Sequence, residues 1–216
     1  QVYRGQADNV FCAVRPPGHH AEGTDAMGFC FYNNVAVGAA HARERYGARR
    51  IAILDFDVHQ CNGTIDIFKN DPDVLICTSF QFPFYPWRYL RSEWQNVVNT
   101  PLEAGTDSTT FRQAIEDDWL PALHGFKPDL VLVSAGFDAH REDPIADLCL
   151  EDEGSLAWRW ILPHYMPTTV WSRCWKGAIT SSHWHAVLKH TSRRYSICPT
   201  RIEVASVVRF RKGFFP

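Results

Sequence analysis

Four short, unbroken apolar runs punctuate the chain: Val10–Val14 (VFCAV), Ile51–Leu54 (IAIL), Val74–Thr78 (VLICT) and Leu130–Ser134 (LVLVS). Each is rich in β-branched residues and bounded by polar ones, the pattern of a strand buried on both faces. Between them apolar positions recur at helical spacing. Asn34–Tyr46 is Ala-rich, and Thr109–Leu123 opens with Ser108 or Thr109 in position to cap a helix. Strands alternating with helices predict an α/β domain around a mainly parallel sheet. There is no internal repeat and no low-complexity linker.

The polar residues behind each run are as regular as the runs themselves. After Val14 comes RPPGHHAEG, after Leu54 DFDVHQCNGT, after Thr78 SFQFPFYP and after Ser134 AGFDAHREDP. Every polar cluster therefore falls at the carboxyl end of a predicted strand. In open parallel α/β sheets, ligand sites form along that edge. Four segments distant in sequence are predicted to meet in one crevice.

The clusters carry the residue types of a catalytic metal site. Asp57 and His59 form a D-x-H pair, and in an extended segment residues two apart point to the same side. Asp138 is the best candidate for a third ligand. Two carboxylates, one imidazole and a water leave an exchangeable position, which is the donor set of catalytic rather than structural zinc. Fe(II) and Co(II) fit the same ligands. The tandem His19-His20 follows a rigid Pro-Pro-Gly turn and suits general acid–base work. Asp55 and Asn62 are placed to orient the two imidazoles, and a carboxylate makes its partner more basic than an amide does. Taken singly, a D-x-H pair is more often a turn or an ion pair, and a tandem His in a Pro-Gly loop is usually surface. Their joint occurrence at four strand ends favours a site. His41, His124 and His140 read as surface or structural residues, and Gly28-Phe29-Cys30-Phe31 reads as packing.

Composition adds bounds. The 216 residues suffice for one domain with a sizeable core, 45% of them hydrophobic and 21% charged. No apolar run approaches the roughly 20 residues of a membrane helix. The start QVYRGQADNV lacks the apolar stretch of a signal peptide and an initiator Met, as in a chain that begins inside a longer protein. Seven scattered Cys without a CxxC pair point to a reduced, cytoplasmic setting. The net charge of −2 conceals an asymmetry. Residues 1–153 carry 12 Lys+Arg against 23 Asp+Glu, whereas residues 154–216 carry 10 against the single acid Glu203, together with five of the eight Trp.

Together the motifs resemble the zinc-dependent histone deacetylase superfamily, which includes bacterial acetylpolyamine amidohydrolases and acetoin-utilisation proteins. RPPGHHA with GFCFYNNVAVGAAHA, then ILDFDVHQCNGT, TSFQFPFYP and LVSAGFDAHREDP match in family order over roughly residues 10–150, nearest to the class II-like bacterial members. The resemblance implies a three-layer arginase/deacetylase α/β fold, incomplete in this chain, and hydrolysis of an N-acetyl amide. It implies zinc on Asp57, His59 and Asp138, and an acid–base pair of His19 and His20 backed by Asp55 and Asn62. It also implies a structural potassium ion near the zinc, held around Asp55, Asp57 and His59 with Ser79 and Phe80. Phe29, beside Gly28, would line the tunnel for an acyl-lysine stem.

The chain departs from the family at three points. Gln60 and Cys61 stand where the family has His and Gly, neither a zinc ligand. The amino-terminal part of the family domain is missing. The late GGY loop, whose Tyr stabilises the oxyanion, does not occur in the sequence as written. It does occur in the neighbouring reading frame. Taking the last base of each codon with the first two of the next, Arg173 through Ser181 can encode Met-Leu-Glu-Gly-Gly-Tyr-His-Leu. Extended both ways, the same frame allows ADNRVVSMLEGGYHLIALARSVETHI, a strand, a Gly-rich turn and an amphipathic helix. We read residues 1–151 as a partial deacetylase catalytic domain and 152–216 as an out-of-frame tail, arising from a mutation or a sequencing error. That reading explains the Trp content and the basic charge without nucleic acid as a partner, and a tail of this kind is not expected to pack as the family's last strands and helices do.

The sequence therefore points to hydrolysis of acetyl-lysine or a related acetylated amine, impaired in this chain by loss of the oxyanion donor and by weakened metal binding. Two alternatives stand beside it: a non-catalytic acyl-lysine-binding module, and an acetylpolyamine deacetylase. No membrane partner is expected, and a homo-oligomer is compatible with the sequence.

Overall fold

The computed structural model describes residues 1–7, 9–90, 93–151 and 203–209, the last stretch by its backbone. Its elements run β1 (Asn9–Val14), α1 (Asn34–Tyr46), β2 (Ile51–Asp55), α2 (Asn62–Phe68), β3 (Val74–Gln81), β4 (Val97–Leu102), α3 (Ser108–Phe126), β5 (Leu130–Ala135) and β6 (Glu203–Arg209). All four predicted strands are present, each within a few residues of its expected span. Both predicted helices form. Asp107, rather than Ser108 or Thr109, caps α3, its side chain accepting a hydrogen bond from the Thr110 amide at 2.8 Å. A carboxylate suits a helix N-terminus because the free amides there carry partial positive charge.

The six strands form one sheet in the order β1-β6-β5-β2-β3-β4. β5, β2, β3 and β4 pair in parallel. β6 lies in the tail segment, and its backbone pairs antiparallel with both β1 and β5. The sheet is thus mainly parallel, with one strand running against the rest.

Every residue of β2, β3 and β5 is buried, which explains their unbroken apolar runs. Alternate residues serve two layers. Ala52, Leu54, Leu75, Cys77, Val131 and Val133 pack with Phe111, Ile115, Trp119 and Leu123 of α3. Ile51, Ile53, Val74, Ile76, Leu130 and Leu132 pack with α1 and with Ile65 and Phe68 of α2. Helices on both faces of the sheet give three layers. From β2 the chain moves outward through β3 and β4, then returns through α3 to lay β5 on the other side of β2. The β2/β5 boundary is therefore the point where strand order reverses, and a crevice opens there at the carboxyl edge.

Candidate metal centre and acid–base site

Asp57, His59 and Asp138 converge at that boundary. Their ligand atoms all lie within 4.8 Å of one another. His59 Nδ1 is 2.8 Å from Asp57 Oδ1 and 3.0 Å from Asp138 Oδ2. The convergence is not that of an extended D-x-H strand. β2 ends at Asp55, and residues 56–60 bend away from strand geometry. The bend is fixed by hydrogen bonds from backbone to carboxylate. The Asp57 amide donates to Asp55 Oδ1 (3.2 Å), the His59 amide to Asp57 Oδ1 (2.9 Å) and the Val58 amide to Asp138 Oδ1 (3.0 Å). The last of these ties the β2 loop to the β5 loop, so Asp138 is fixed beside Asp57 and His59.

The three groups strongly perturb one another. Burial opposes a charge on His59, but hydrogen bonds to Asp138 and Asp57 outweigh it and hold the imidazole up to about 10. Burial, and then the neighbouring Asp57 charge, push Asp138 up to about 6. Burial also works against charge on Asp57, yet His19 and His59 draw it well below the carboxylate range. Two carboxylates and an imidazole so arranged form a pocket that favours positive charge at its centre. Gly136, directly after β5, keeps that centre open. A Cβ there would lie 2.5 Å from Asp57 Cγ and 2.8 Å from Asp138 Oδ1. The donor set and its spacing fit a divalent cation of the zinc type.

The tandem histidines lie beside the cluster, 3% and 4% exposed, with ring centroids 4.0 Å apart. Each has its own partner. His19 Nδ1 is 3.1 Å from Asp55 Oδ2, and His20 Nδ1 is 2.6 Å from Asn62 Oδ1. The environments drive the rings apart. Burial disfavours a charge on His19, but Asp57 and Asp55 raise it well above the ordinary imidazole value. Burial and the His19 charge lower His20 to about 2, so it stays neutral. His20 is seated by two glycines. A Cβ on Gly28, whose φ is +56°, would lie 2.6 Å from His20 Cγ, and one on Gly63 would lie 2.6 Å from the His20 carbonyl carbon.

Among the remaining predicted positions, Ser79 and Phe80 are buried in β3, next to β2, and Ser79 Oγ has no hydrogen-bond partner. Gln60 donates to the Tyr89 carbonyl (3.0 Å) and Asn99 Oδ1 (3.1 Å), not to the candidate metal ligands. Cys61 is buried. The packing reading of Gly28-Phe29-Cys30-Phe31 holds for Cys30 but not for its neighbours: Phe29 is 64% and Phe31 68% exposed. His41 and His124 are exposed and His140 is half-buried. Residues 173–181, over which the neighbouring frame can spell the GGY loop, lie outside the described residues.

Two features escaped the sequence reading. Tyr85 presents its ring edge-on to His20, centroids 5.1 Å apart, while Phe84 lies 5.1 Å from the His59 ring. Their sequence signal was the aromatic, Pro-flanked loop FPFYP at a strand's carboxyl end. Glu22, two residues after His20, accepts from Asn62 Nδ2 at 2.7 Å. Nothing in its sequence context separates it from a surface acid.

Residues 1–163 match the histone deacetylase domain family. The chain belongs to that family. It is 45% identical over 166 residues to the uncharacterized protein slr0245 of Synechocystis, covering 74% of this chain and 53% of that one. It is 40% identical over 159 residues to the histone deacetylase-like amidohydrolase of Pseudomonas aeruginosa, covering 70% and 42%. Among solved structures it resembles the HD domain of HDA15, with a TM-score of 0.69 and 34% identity over 76% of this chain and 50% of that one. The histone deacetylase family is one of deacetylases and amidohydrolases, and the sheet with its flanking helices is the corresponding part of the arginase/deacetylase fold. The chain spans about half or less of the length of these relatives.

Proposed function

We propose that a complete family domain built on this site hydrolyses an N-acetyl amide, either acetyl-lysine in a peptide or a related acetylated amine, and releases acetate. The observation that carries the reading is the convergence of Asp57, His59 and Asp138 within 4.8 Å at the strand-order reversal, with the His19-His20 pair alongside. Asp57, His59 and Asp138 would hold zinc, whose bound form supplies Lewis acidity toward the acetyl carbonyl and an acidified water. His20, neutral and donating through Nδ1 to Asn62, keeps a lone pair on Nε2 to take a proton. His19, paired with the Asp55 carboxylate, supplies fixed positive charge and a proton to donate. Phe29 and Tyr85 offer aromatic surfaces for an aliphatic stem. The unpartnered Ser79 Oγ, buried in β3 one residue past the Asp55–Thr78 pairing, supports a potassium site completed by Phe80 and by the backbone of Asp55, Asp57 and His59. Oxygen-only ligation suits a hard cation.

The chain as written lacks the Tyr donor, a term worth about 3–4 kcal/mol in comparable sites, so its turnover falls by about two to three powers of ten. An out-of-frame reading of residues 152–216 would account for the loss. Sequencing the coding DNA tests that point, since the neighbouring frame must spell the GGY loop. The functional reading is tested by zinc content and fluorogenic acetyl-lysine hydrolysis, measured on this chain and on a frame-restored chain. Zinc-dependent turnover in the restored chain alone supports it. Acetyl-lysine binding without zinc or turnover in both would make the chain a binding module instead. The cysteines, five of which lie outside any disulfide among the described residues, support a reduced, cytoplasmic setting. No described helix is long and apolar enough to cross a membrane.

A further inference from the structure

We propose that Glu22 and Arg88 set the proton position on His20 by dictating which way the Asn62 amide faces. The inference rests on the acid–base reading of His20. Asn62 bridges two groups with opposite demands. Its Oδ1 lies 2.6 Å from His20 Nδ1, and its Nδ2 donates to Glu22 Oε1 at 2.7 Å. Nδ2 also donates to the His20 carbonyl (3.3 Å) and to Met27 Sδ (3.2 Å). All three groups on that side are acceptors, and the carboxylate is the strongest of them. Were the amide turned over, its oxygen would face them and lose every bond.

With the amide fixed, His20 has no choice. Nδ1 meets an oxygen and must carry the hydrogen, which leaves the lone pair on Nε2. The Glu22 carboxylate is itself held. Its side chain is 7% exposed, and Arg88 Nη1 donates to Oε2 at 2.6 Å. Arg88 reaches in from the loop between β3 and β4, anchored one residue later by the Tyr89 hydroxyl on Asp66 (3.0 Å) and by the Tyr89 carbonyl, which accepts from Gln60 and Asn99. Gln60 and Arg88 thus act on one loop, and that loop acts on His20. Arg88 and Glu22 are positioning residues: neither touches the metal ligands, and both work through Asn62.

The arrangement makes Glu22→Gln an informative change. Arg88 offers only donors, so the single oxygen of the new amide turns to Arg88 and its NH2 faces Asn62. That reverses the strongest of the three demands on Asn62, leaves only the longer bonds to the His20 carbonyl and Met27 Sδ to hold the amide, and so favours the Nε2–H form of His20. The bias toward Nδ1–H should fall about tenfold or more, the scale of a lost charge-assisted hydrogen bond. Long-range 1H–15N correlation spectra of the 15N-histidine-labelled chain read the tautomer directly, with a His20→Phe variant to assign the signal. Wild type should show protonated Nδ1 and a pyridine-like Nε2, and Glu22→Gln should shift toward the reverse. In an Asn62→Asp background the shift should vanish, because a carboxylate has no wrong end. If Glu22→Gln does not fold, Arg88→Gln, at a half-exposed position, should give a smaller shift in the same direction. An unchanged tautomer in a folded Glu22→Gln or Arg88→Gln chain, or an equal shift in the Asn62→Asp background, overturns the proposal. A tautomer shift without loss of kcat in the frame-restored chain upholds the positioning and overturns the acid–base reading of His20.

Discussion

Replacing Gly136 with Ala should disable the metal centre while leaving the fold standing. The added methyl carbon would sit 2.5 Å from Asp57 Cγ and 2.8 Å from Asp138 Oδ1, whereas real Cβ atoms essentially never approach a heavy atom closer than 3.0 Å. The Asp57 carboxylate must therefore retreat by about 0.5 Å or more, and metal–ligand distances tolerate only about 0.2 Å. Asp57 has little room to yield, because its Oδ1 is already held by the His59 amide at 2.9 Å. Disturbance of groups that merely orient ligands costs about 10–100-fold in metal affinity. Displacing a ligand itself should cost at least the upper end of that range. Overpacking adds about 1–3 kcal/mol of destabilisation. Competition against a chromophoric chelator measures the affinity, and denaturant unfolding of the metal-free chain measures the stability. Gly38→Ala is the control: Gly38 lies inside α1 with nothing within 4 Å of the added carbon. That change should leave zinc affinity alone and stabilise by about 0.5–1 kcal/mol. Wild-type zinc affinity in folded Gly136→Ala would refute the placement of the ligands.

Four further outcomes rest on the same geometry. Zinc must displace the proton on His59, held at about 10, so binding near pH 7.5 should release about one proton, seen calorimetrically in buffers of different ionisation enthalpy. A second proton joins below about pH 6, where Asp138 also carries one. For the metal-free chain the sign is that of a raised imidazole: the His59 contribution is whole below about pH 6.5 and is lost as pH climbs toward 10, a loss that His59→Gln should abolish. Ser79→Ala should remove most of any gain in thermal stability that potassium confers over lithium, because it deletes the buried unpartnered hydroxyl; an undiminished gain places potassium elsewhere. Gly63→Ala should destabilise the chain by about 1–3 kcal/mol and disturb the His20 resonance, since the new methyl meets the His20 and Ala21 backbone; a silent substitution would mean that α2 does not press on that loop.

The strands buried on both faces were legible because their apolar runs have no polar partner face. β4 was not, since Val97–Leu102 includes Asn99 and Pro101 and lies at the sheet edge with an exposed Pro101. α2 was missed because it has seven residues, no side-chain cap and a start inside the DFDVHQCNGT motif. β6 was overlooked although VASVV is β-branched, because the tail carried no helix or turn rhythm around it. The site residues were legible as a list, from residue types at strand ends. Their assembly was not. That Asp57 and His59 converge through a bend, and that the Val58 amide grips Asp138, depends on hydrogen bonds between segments 80 residues apart. Partner choice for the two histidines was left open by the sequence, and packing decides it: Asp55 sits under His19, and Asn62, turned by Glu22, under His20.

The central claim is that one imidazole and two carboxylates hold the catalytic metal. Zinc-edge X-ray absorption on the chain loaded with half an equivalent of zinc reads the tightest site directly. The account predicts a shell of oxygen and a single His nitrogen at about 2.0–2.2 Å, lost in Asp138→Ala. Sulfur scattering at about 2.3 Å, or the multiple-scattering pattern of two or more imidazoles, would contradict it.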